Sequence, residues 1–428
     1  MGKNIQFANL SSGDVLPFSL EGDSFMDQNV DVEELEKSIN LNYTTVTYKV
    51  YVLFPDETIN YEIPSDKIKA GGSYSENYQN GQRRSLTFTL YNETGEYTPG
   101  INNFWTGTRL RLDVCLEYLG NKIEFVKGYF VVNKAAPSLT VGLKEVVITA
   151  GDKFSWFDNS SGRLTDTYEI PEGNDIEEII KSILLTEMGN GDVFDTKDIL
   201  ISEELKGKKT QVSIVKNAGE TYGDILLELA TQMSAEIFYN SNGNLTLVPT
   251  VDVSDDKEKP LLYFFDADKG DIGQLSFDYD YNSIVNRVVV LGNSKNGSVY
   301  KAVAVNNDTR SPLCYQRIGY RTGTIINDSN IYSDLLASER AEYELRQKLI
   351  LKTTSSSPIL FNPFLSVNNL IAISSEFYNL IKEKFLLQSI SFSLDMEGQM
   401  TISFSNILNL SSNIEVGRDA LLKRPNEI

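Results

Sequence analysis

The chemistry open to this chain is bounded first by a residue type it lacks. Its 428 residues contain no histidine. Without imidazole there is no Ser-His-Asp or Cys-His nucleophile, no zinc site of the usual His/Cys kind and no proton shuttle near neutrality. The enzyme chemistry left is a carboxylate pair of the glycosidase kind or a hard-cation site built from Asp and Glu. Asp266, Asp268 and Asp271 form a D-x-D-x-x-D run, followed by Asp278 and Asp280. A calcium loop of the usual spacing needs glycine at its sixth position and a bidentate Glu at its twelfth. Here the sixth position is Asp271, and Gly270 comes one residue early. These carboxylates therefore read as turn chemistry on a solvated edge. A glycosidase pair needs two carboxylates at a fixed gap, and 59 acidic residues give the sequence no means of selecting one pair.

The remaining chemical candidates have structural readings. Gly71-Gly72 is not followed by the helix that a phosphate cradle requires. Arg83, Arg84, Arg109 and Arg111 lie in or beside strand-like runs with no basic helix nearby, and read as ion-pair partners of acidic neighbours. Cys115 and Cys314 each sit in an apolar or strand-like run and read as buried free thiols. Trp105 and Trp156 could stack on sugar rings, but core or loop packing accounts for both. No catalytic, cofactor-binding or metal-binding residue is assigned, and no cofactor is implied.

Charge and composition narrow the class. The 59 acidic and 39 basic residues give a net charge of −20, which opposes binding to the outside of DNA or to an anionic membrane. Composition (41% hydrophobic, 11% aromatic, 23% charged) is that of a folded soluble chain of about three domains. No apolar run is long enough to span a bilayer, so no membrane insertion is expected. The first thirty residues lack the basic start and apolar core of a signal peptide.

The elements that must carry these residues follow from periodicity. From Tyr43 the pattern alternates strictly, with Val46, Tyr48, Val50 and Val52 on one face. Strand-like runs continue around Ile59 to Ile63, Leu86 to Leu90, Arg109 to Tyr118, Glu124 to Val132 and Val141 to Thr149, which predicts a closed or sandwiched antiparallel sheet. Between about 158 and 253 the period changes to 3.6. Ile176, Ile179, Ile180, Ile183 and Leu184 predict a helix capped by Asn174 or Asp175 and ended by Gly189. Thr221 and Asp224 open a second helix with Ile225, Leu226, Leu229 and Met233 on its buried side, followed by a hairpin at Asn242-Gly243. In the last third, Asn296-Gly297 marks a hairpin, Ser333 caps a helix over 334–351, and Ile390, Phe392 and Leu394 face Ile402 and Phe404. The two β-rich thirds share size and strand grammar, a weak sign of duplication.

The order of segments carries a resemblance. RRSLTFTLYNETGEYTPGINNFWTGTRLRLDV (Arg83 to Val114), GDILLELATQMSAEIFYNSNGNLTLVP (Gly223 to Pro249) and SIVNRVVVLGNSKNG (Ser283 to Gly297), with the Arg317-Ile318-Gly319 stretch and the helix after Ser333, resemble phage baseplate or tail hub proteins. The match is ordered over Tyr43 to Leu410; the first 40 residues have no counterpart. The resemblance implies an α+β, mostly β fold: two tail-tube-like antiparallel β-barrels, an intervening small α+β domain and one long helix in the last third. The domain division expected is an N-terminal arm at 1–40, a first barrel at 41–157, a small domain at 158–258, a second barrel at 259–410 and a C-terminal tail at 411–428.

The function so implied is non-enzymatic. It is a structural hub of a phage tail or related injection particle, a homotrimer forming a pseudo-sixfold ring that joins the tail tube to the central spike or tip and lets DNA pass. Expected partners are the tail tube or distal tail protein, the spike or tip protein and the tape measure protein, with DNA present only in transit. The expected location is the virion tail, assembled in the host cytoplasm. An acidic inner wall would pass DNA without holding it, which the charge of −20 suits. Alternatives of other classes are a tail-associated cell-wall glycosidase using two carboxylates and a host-carbohydrate binding module.

Overall fold

After a short paired ribbon of Asn4–Ile5 and Leu16–Pro17, alternating apolar residues make the first strand of the main sheet, Thr45–Leu53 (β1). Asp56 turns it by accepting the Thr58 amide at 3.0 Å, and Ile59–Ile63 (β2) returns alongside. Ile68–Asn77 (β3), Arg84–Tyr91 (β4), Arg109–Tyr118 (β5), Asn121–Thr140 (β6) and Leu143–Asp152 (β7) follow. Burial alternates along β4: Leu86, Phe88 and Leu90 point inward and Ser85, Thr87 and Thr89 do not. The computed structural model describes residues 4–5, 16–17 and 45–417, apart from 101–103, 119–120, 190, 250–260, 280–283, 296–297, 310, 312, 329–330, 350–352, 363–364, 396–397 and 407–413. The expected arm at 1–40 lies almost wholly outside these residues.

The chain then builds a small domain on its own core. Asp175 caps Ile176–Leu184 (α1), its carboxylate accepting the Glu177 and Glu178 amides. The helix stops at Leu184, before the expected Gly189. Leu185 leaves helical geometry, and a bridge from Glu187 to Val193 folds the following residues back, so that Gly189 (φ 86°) falls in that turn. Thr221 and Asp224 form the reciprocal capping box expected for Tyr222–Met233 (α2). Ile225, Leu226, Leu229 and Met233 of α2 pack with Ile180 and Ile183 of α1 and with the hairpin Ala235–Tyr239 (β8) and Leu245–Pro249 (β9).

The last third contributes to two bodies. Leu261–Asp266 (β10), Asp278–Tyr279 (β11), Thr353–Leu360 (β14), Leu370–Ser375 (β15), Leu380–Ser393 (β16) and Gln399–Asn406 (β17) join the strands of the first third. Arg287–Lys295 (β12) and Ser298–Asn306 (β13) form a hairpin whose Val288, Val290, Ala302 and Ala304 pack against Ala337, Ala341 and Leu345 of Asp334–Leu349 (α3), a separate core. Ser333 caps α3 through its hydroxyl, which accepts the Leu336 amide at 3.1 Å. Part of the expected tail belongs here: Ile414–Gly417 (β18) pairs with β13 because Val416 has this core to pack on. Among the described residues, no helix is long and apolar enough to cross a membrane.

One thirteen-stranded sheet carries both barrel-like halves, in the order β11-β14-β17-β16-β3-β4-β7-β6-β5-β1-β2, with β15 beside β16 and β10 beside β15. β1 and β5 fold over the first half and β10 and β15 over the second, so that Val50, Leu112, Phe88 and Ile148 share one apolar cluster with Ile371, Phe385, Ile390 and Phe404. The halves meet where Phe392 of β16 stacks on Tyr74 of β3, ring centroids 4.6 Å apart.

The sheet repeats itself. The run β3-β4-β7-β6-β5 and the run β11-β14-β17-β16-β15 have the same order and the same antiparallel pairings. In each, the fourth strand carries a register shift opposite the third, at Asn133 in β6 and at Gln388 in β16. Aligned on that bulge, Phe130 corresponds to Phe385 and Tyr74 to Phe277. Both pairs are in ring contact, at 6.2 Å and 5.8 Å. A β-bulge is a built feature of a strand pair, and its recurrence at one place in both units marks an internal duplication.

Candidate functional site

Opposite the core, the sheet presents short hydroxyls. Across the strands, Thr401, Ser391, Ser75 and Ser85 lie in register as one row, and Ser393, Ser73, Thr87 and Thr149 as another. Ser75 and Ser85 share a hydrogen bond of 2.7 Å. Ser73, Ser391, Ser393 and Thr401 are exposed, and the others are half-buried. The second row ends at Lys134, and at the margin Lys69 and Glu145 pair at 2.7 Å. The two rows thus cross from one half of the sheet to the other as uncharged hydroxyls, with Lys134 and the Lys69–Glu145 pair at their margin, and the rows themselves offer phosphate no array of cations. Sequence reasoning on the apolar residues alone missed this face. Its signal stands in Ser389-Ile390-Ser391-Phe392-Ser393 and Thr401-Ile402-Ser403-Phe404-Ser405, where the residues alternating with the core are small and hydroxylic.

Behind the sheet, a lattice of buried charges locks the bodies together. Arg84 holds Glu76 at 3.0 Å, donates to the Tyr74 hydroxyl at 3.2 Å and reaches the Tyr239 carbonyl of β8. Arg83 pairs with Glu236 of β8 at 2.7 Å, and the same carboxylate accepts from the Tyr78 hydroxyl at 2.7 Å and from the Asn368 amide at 3.0 Å. First half, small domain and second half therefore meet on Glu236. Lys153 bridges Asp195 at 2.7 Å and Glu57 at 2.5 Å, and Lys197 also reaches Glu57 at 2.7 Å. Burial works to raise the carboxyls of Glu57 and Glu76, but the cations beside them outweigh it and hold both below the ordinary range. Asp152 goes the other way. Burial pushes it up to about 6, although the Arg83, Arg84 and Phe154 amides donate to it at 2.8, 2.9 and 3.0 Å.

Buried ion pairs are a weak source of stability, because desolvation opposes their attraction, but breaking one is costly. Such a lattice therefore suits fixing the angle between bodies more than holding each body folded. Arg83 and Arg84 serve as the ion-pair partners that the sequence suggests, and Arg111 pairs with Asp113 at 2.7 Å. Arg109 instead donates to the Pro55 carbonyl and lies over the Trp156 ring at 4.7 Å.

The acidic run at the end of β10 is turn chemistry. Asp266 accepts the Asp268 amide and pairs with Lys269, Asp271 accepts the Asp266 amide, and Asp268 accepts the Glu376 amide. Among the described residues, no group of three His, Cys, Asp or Glu residues is placed to hold a metal ion. Asp158 is pushed up to about 6 by burial and by Asp224, but Asp224 is committed to the capping box of α2. Trp156 is buried in the small-domain core, and Trp105 is 51% exposed. Cys115 and Cys314 are buried free thiols.

No protein-family model matches the chain, and no curated protein matches it in sequence. Solved structures match in fold. The 43 kDa tail protein of prophage MuSo2 from Shewanella oneidensis superposes with a TM-score of 0.56 at 15% identity, covering 85% of this chain and 99% of that one. A tail protein from Neisseria meningitidis gives a TM-score of 0.56 at 12% identity, over 84% and 97% of the two chains. Prophage tail protein gp18 from Listeria monocytogenes gives 0.50 at 14% identity, over 84% and 94%. The mostly β chain thus has the fold of these tail proteins.

Proposed function

We propose that this chain is a structural, non-enzymatic hub of a phage tail or related injection particle, a homotrimer whose six barrel-like units form a pseudo-sixfold ring between the tail tube and the central spike or tip. The observation that carries this reading is the repeat of β3-β4-β7-β6-β5 in β11-β14-β17-β16-β15. A chain with two copies of one unit makes a six-unit ring from three copies, and closing the ring pairs the sheet edges that a lone chain leaves open.

In this reading the hydroxyl rows line the channel and let DNA pass because they give it nothing to bind, a role assigned above to an acidic wall. The domain division at 1–40, 41–157, 158–258, 259–410 and 411–428 belongs to the proposal, except that β18 leaves the tail and joins β12, β13 and α3 in a lobe outside the ring wall. The tube, spike and tape measure partners and the assembly in the host cytoplasm belong to the proposal too. Imaging of intact particles tests the reading: three copies per ring, each contributing two units, is the expected result. Six copies with one unit each would overturn it, as would a chain that never enters the particle.

A further inference from the structure

Repetition of the five-strand unit makes its outer edges comparable. In the second unit β16 runs past its bulge and pairs with β3 over Ser389–Ser393. The Tyr78 amide donates to the Gln388 carbonyl and the Leu394 amide to the Gly72 carbonyl, both at 2.7 Å. By alternation, Ile390 and Phe392 also turn their main-chain groups toward β3. Counted from the shared bulge, the equivalents in β6 are Asn133, Ala135, Pro137 and Leu139. β6 parts from β5 at Val131, and Val132 bonds to Gly107 and Thr108. Beyond it, no strand pairs with this edge among the described residues, and Leu139 is 78% exposed. At the far end of the sheet, β11 pairs with β14 and, among the described residues, with no other strand. It holds in the second unit the place that β3 holds in the first.

We propose that a second copy of this chain docks on that edge: its residues 276–279 add antiparallel to 135–138 of β6. Pro137 then lies opposite Phe277 and Ala136 opposite Asp278, as Phe392 lies opposite Tyr74 and Ser391 opposite Ser75 within the chain. This deepens the ring reading by naming its copy-to-copy junction, and the occupant is fixed by the repeat, since among the described residues the strand equivalent to β3 is β11 of the same sequence. The two junctions differ in strength. Phe392 stacks on Tyr74 at 4.6 Å and on Tyr48 at 5.5 Å, whereas Pro137 is exposed and has no N–H to donate. The junction between copies therefore lacks one rung and the aromatic stack. Proline at an open edge also discourages indiscriminate pairing, so the same residue keeps free chains apart until assembly.

Cross-linking tests the register. Ala136→Cys and Asp278→Cys in the full chain should form a disulfide between copies under mild oxidation, since directly opposed strand residues meet the required geometry. Association measured by sedimentation should weaken about tenfold in Ala135→Pro, which removes one rung, and tighten in Pro137→Val, which restores one. An Ala135→Pro chain with a lowered melting temperature is uninformative by itself, so Pro137→Val, which removes no bond from the free chain, decides. A trimer that forms without the cross-link and is insensitive to both substitutions overturns this junction and leaves the ring reading intact. Cross-links that close at a number other than three uphold the junction and overturn the trimer. A chain that neither cross-links nor associates at any concentration, or within particles, overturns the junction outright.

Discussion

The Glu236 carboxylate and the Arg83 guanidinium meet 2.7 Å apart with both side chains buried, and each stands on a different body of the molecule. Glu236 belongs to the small-domain hairpin, Arg83 leads into β4, and Asn368 brings the second half to the same carboxylate. Removing the acid leaves a buried guanidinium without its partner. Glu236→Ala should therefore lower unfolding free energy by about 3–5 kcal/mol. Glu236→Gln, which keeps an acceptor for Tyr78, should cost less. Denaturant unfolding of the two variants checks the order, and a loss below about 1 kcal/mol in Glu236→Ala would show that the three bodies are held elsewhere.

The same lattice sets a pH dependence. Asp152 has its folded pKa raised to about 6, so the folded state binds its proton more readily than the unfolded chain. Its contribution favours folding below the unfolded carboxyl pKa and is lost as pH rises through about 6. Glu57 and Glu76 are held low, so their contribution is present above the unfolded value and is lost as pH falls below it. Thermal stability should rise from pH 7 toward pH 5 and then fall steeply in acid. Asp152→Asn should flatten the rise between pH 4 and 6. It should also destabilise the chain at pH 7 by about 1–3 kcal/mol, because an amide cannot accept all three main-chain donors. A melting curve independent of pH over that window would rule out Asp152 as its source.

Local pattern carried the elements, and long-range pairing was hidden from it. Alternation exposed Thr45–Leu53, the Thr221/Asp224 box exposed the start of α2, and Ser333 exposed the start of α3. These are signals within a few residues of one another. The union of both β-rich thirds into one sheet depends on Tyr74 meeting Phe392, two strand residues whose periodicity is satisfied equally well by any other partner. The repeat was equally faint, since strand order and bulge position recur while the residues at them change, Pro137 for Phe392 among them. The Glu236 site joins three distant segments, and no spacing in the sequence announces it.

The buried face of α2 is open to a direct check. Leu229 and Met233 are enclosed by α1, β8 and β9, at 0% and 5% exposure. An unpaired carboxylate there costs several kcal/mol. Leu229→Asp and Met233→Asp should each unfold or loosen the small domain, read as lost protection of the β8–β9 amides in hydrogen exchange. Protection at the wild-type level in both variants would mean that the face is not a core.

The hydroxyl rows can be tested by giving them charge. Half-buried Ser75 and exposed Ser391 lie directly opposite one another on the hydroxyl face, outside the apolar core of the sheet. Losing the Ser75–Ser85 hydrogen bond and placing like charges directly opposite each other should cost about 1–2 kcal/mol, so Ser75→Arg with Ser391→Arg should leave the free chain folded. In a ring whose channel is lined by this face, the added guanidiniums would meet passing phosphates, and each contact adds about one to the salt dependence of binding. Particles carrying the double variant should eject DNA more slowly, with the delay relieved by salt. Particles carrying Ser75→Asp with Ser391→Asp should eject at the normal rate, because like charge gives DNA nothing to hold. Equal ejection by both variants would place this face away from the DNA, and a delay in the aspartate variant alone would show that geometry, not attraction, governs passage.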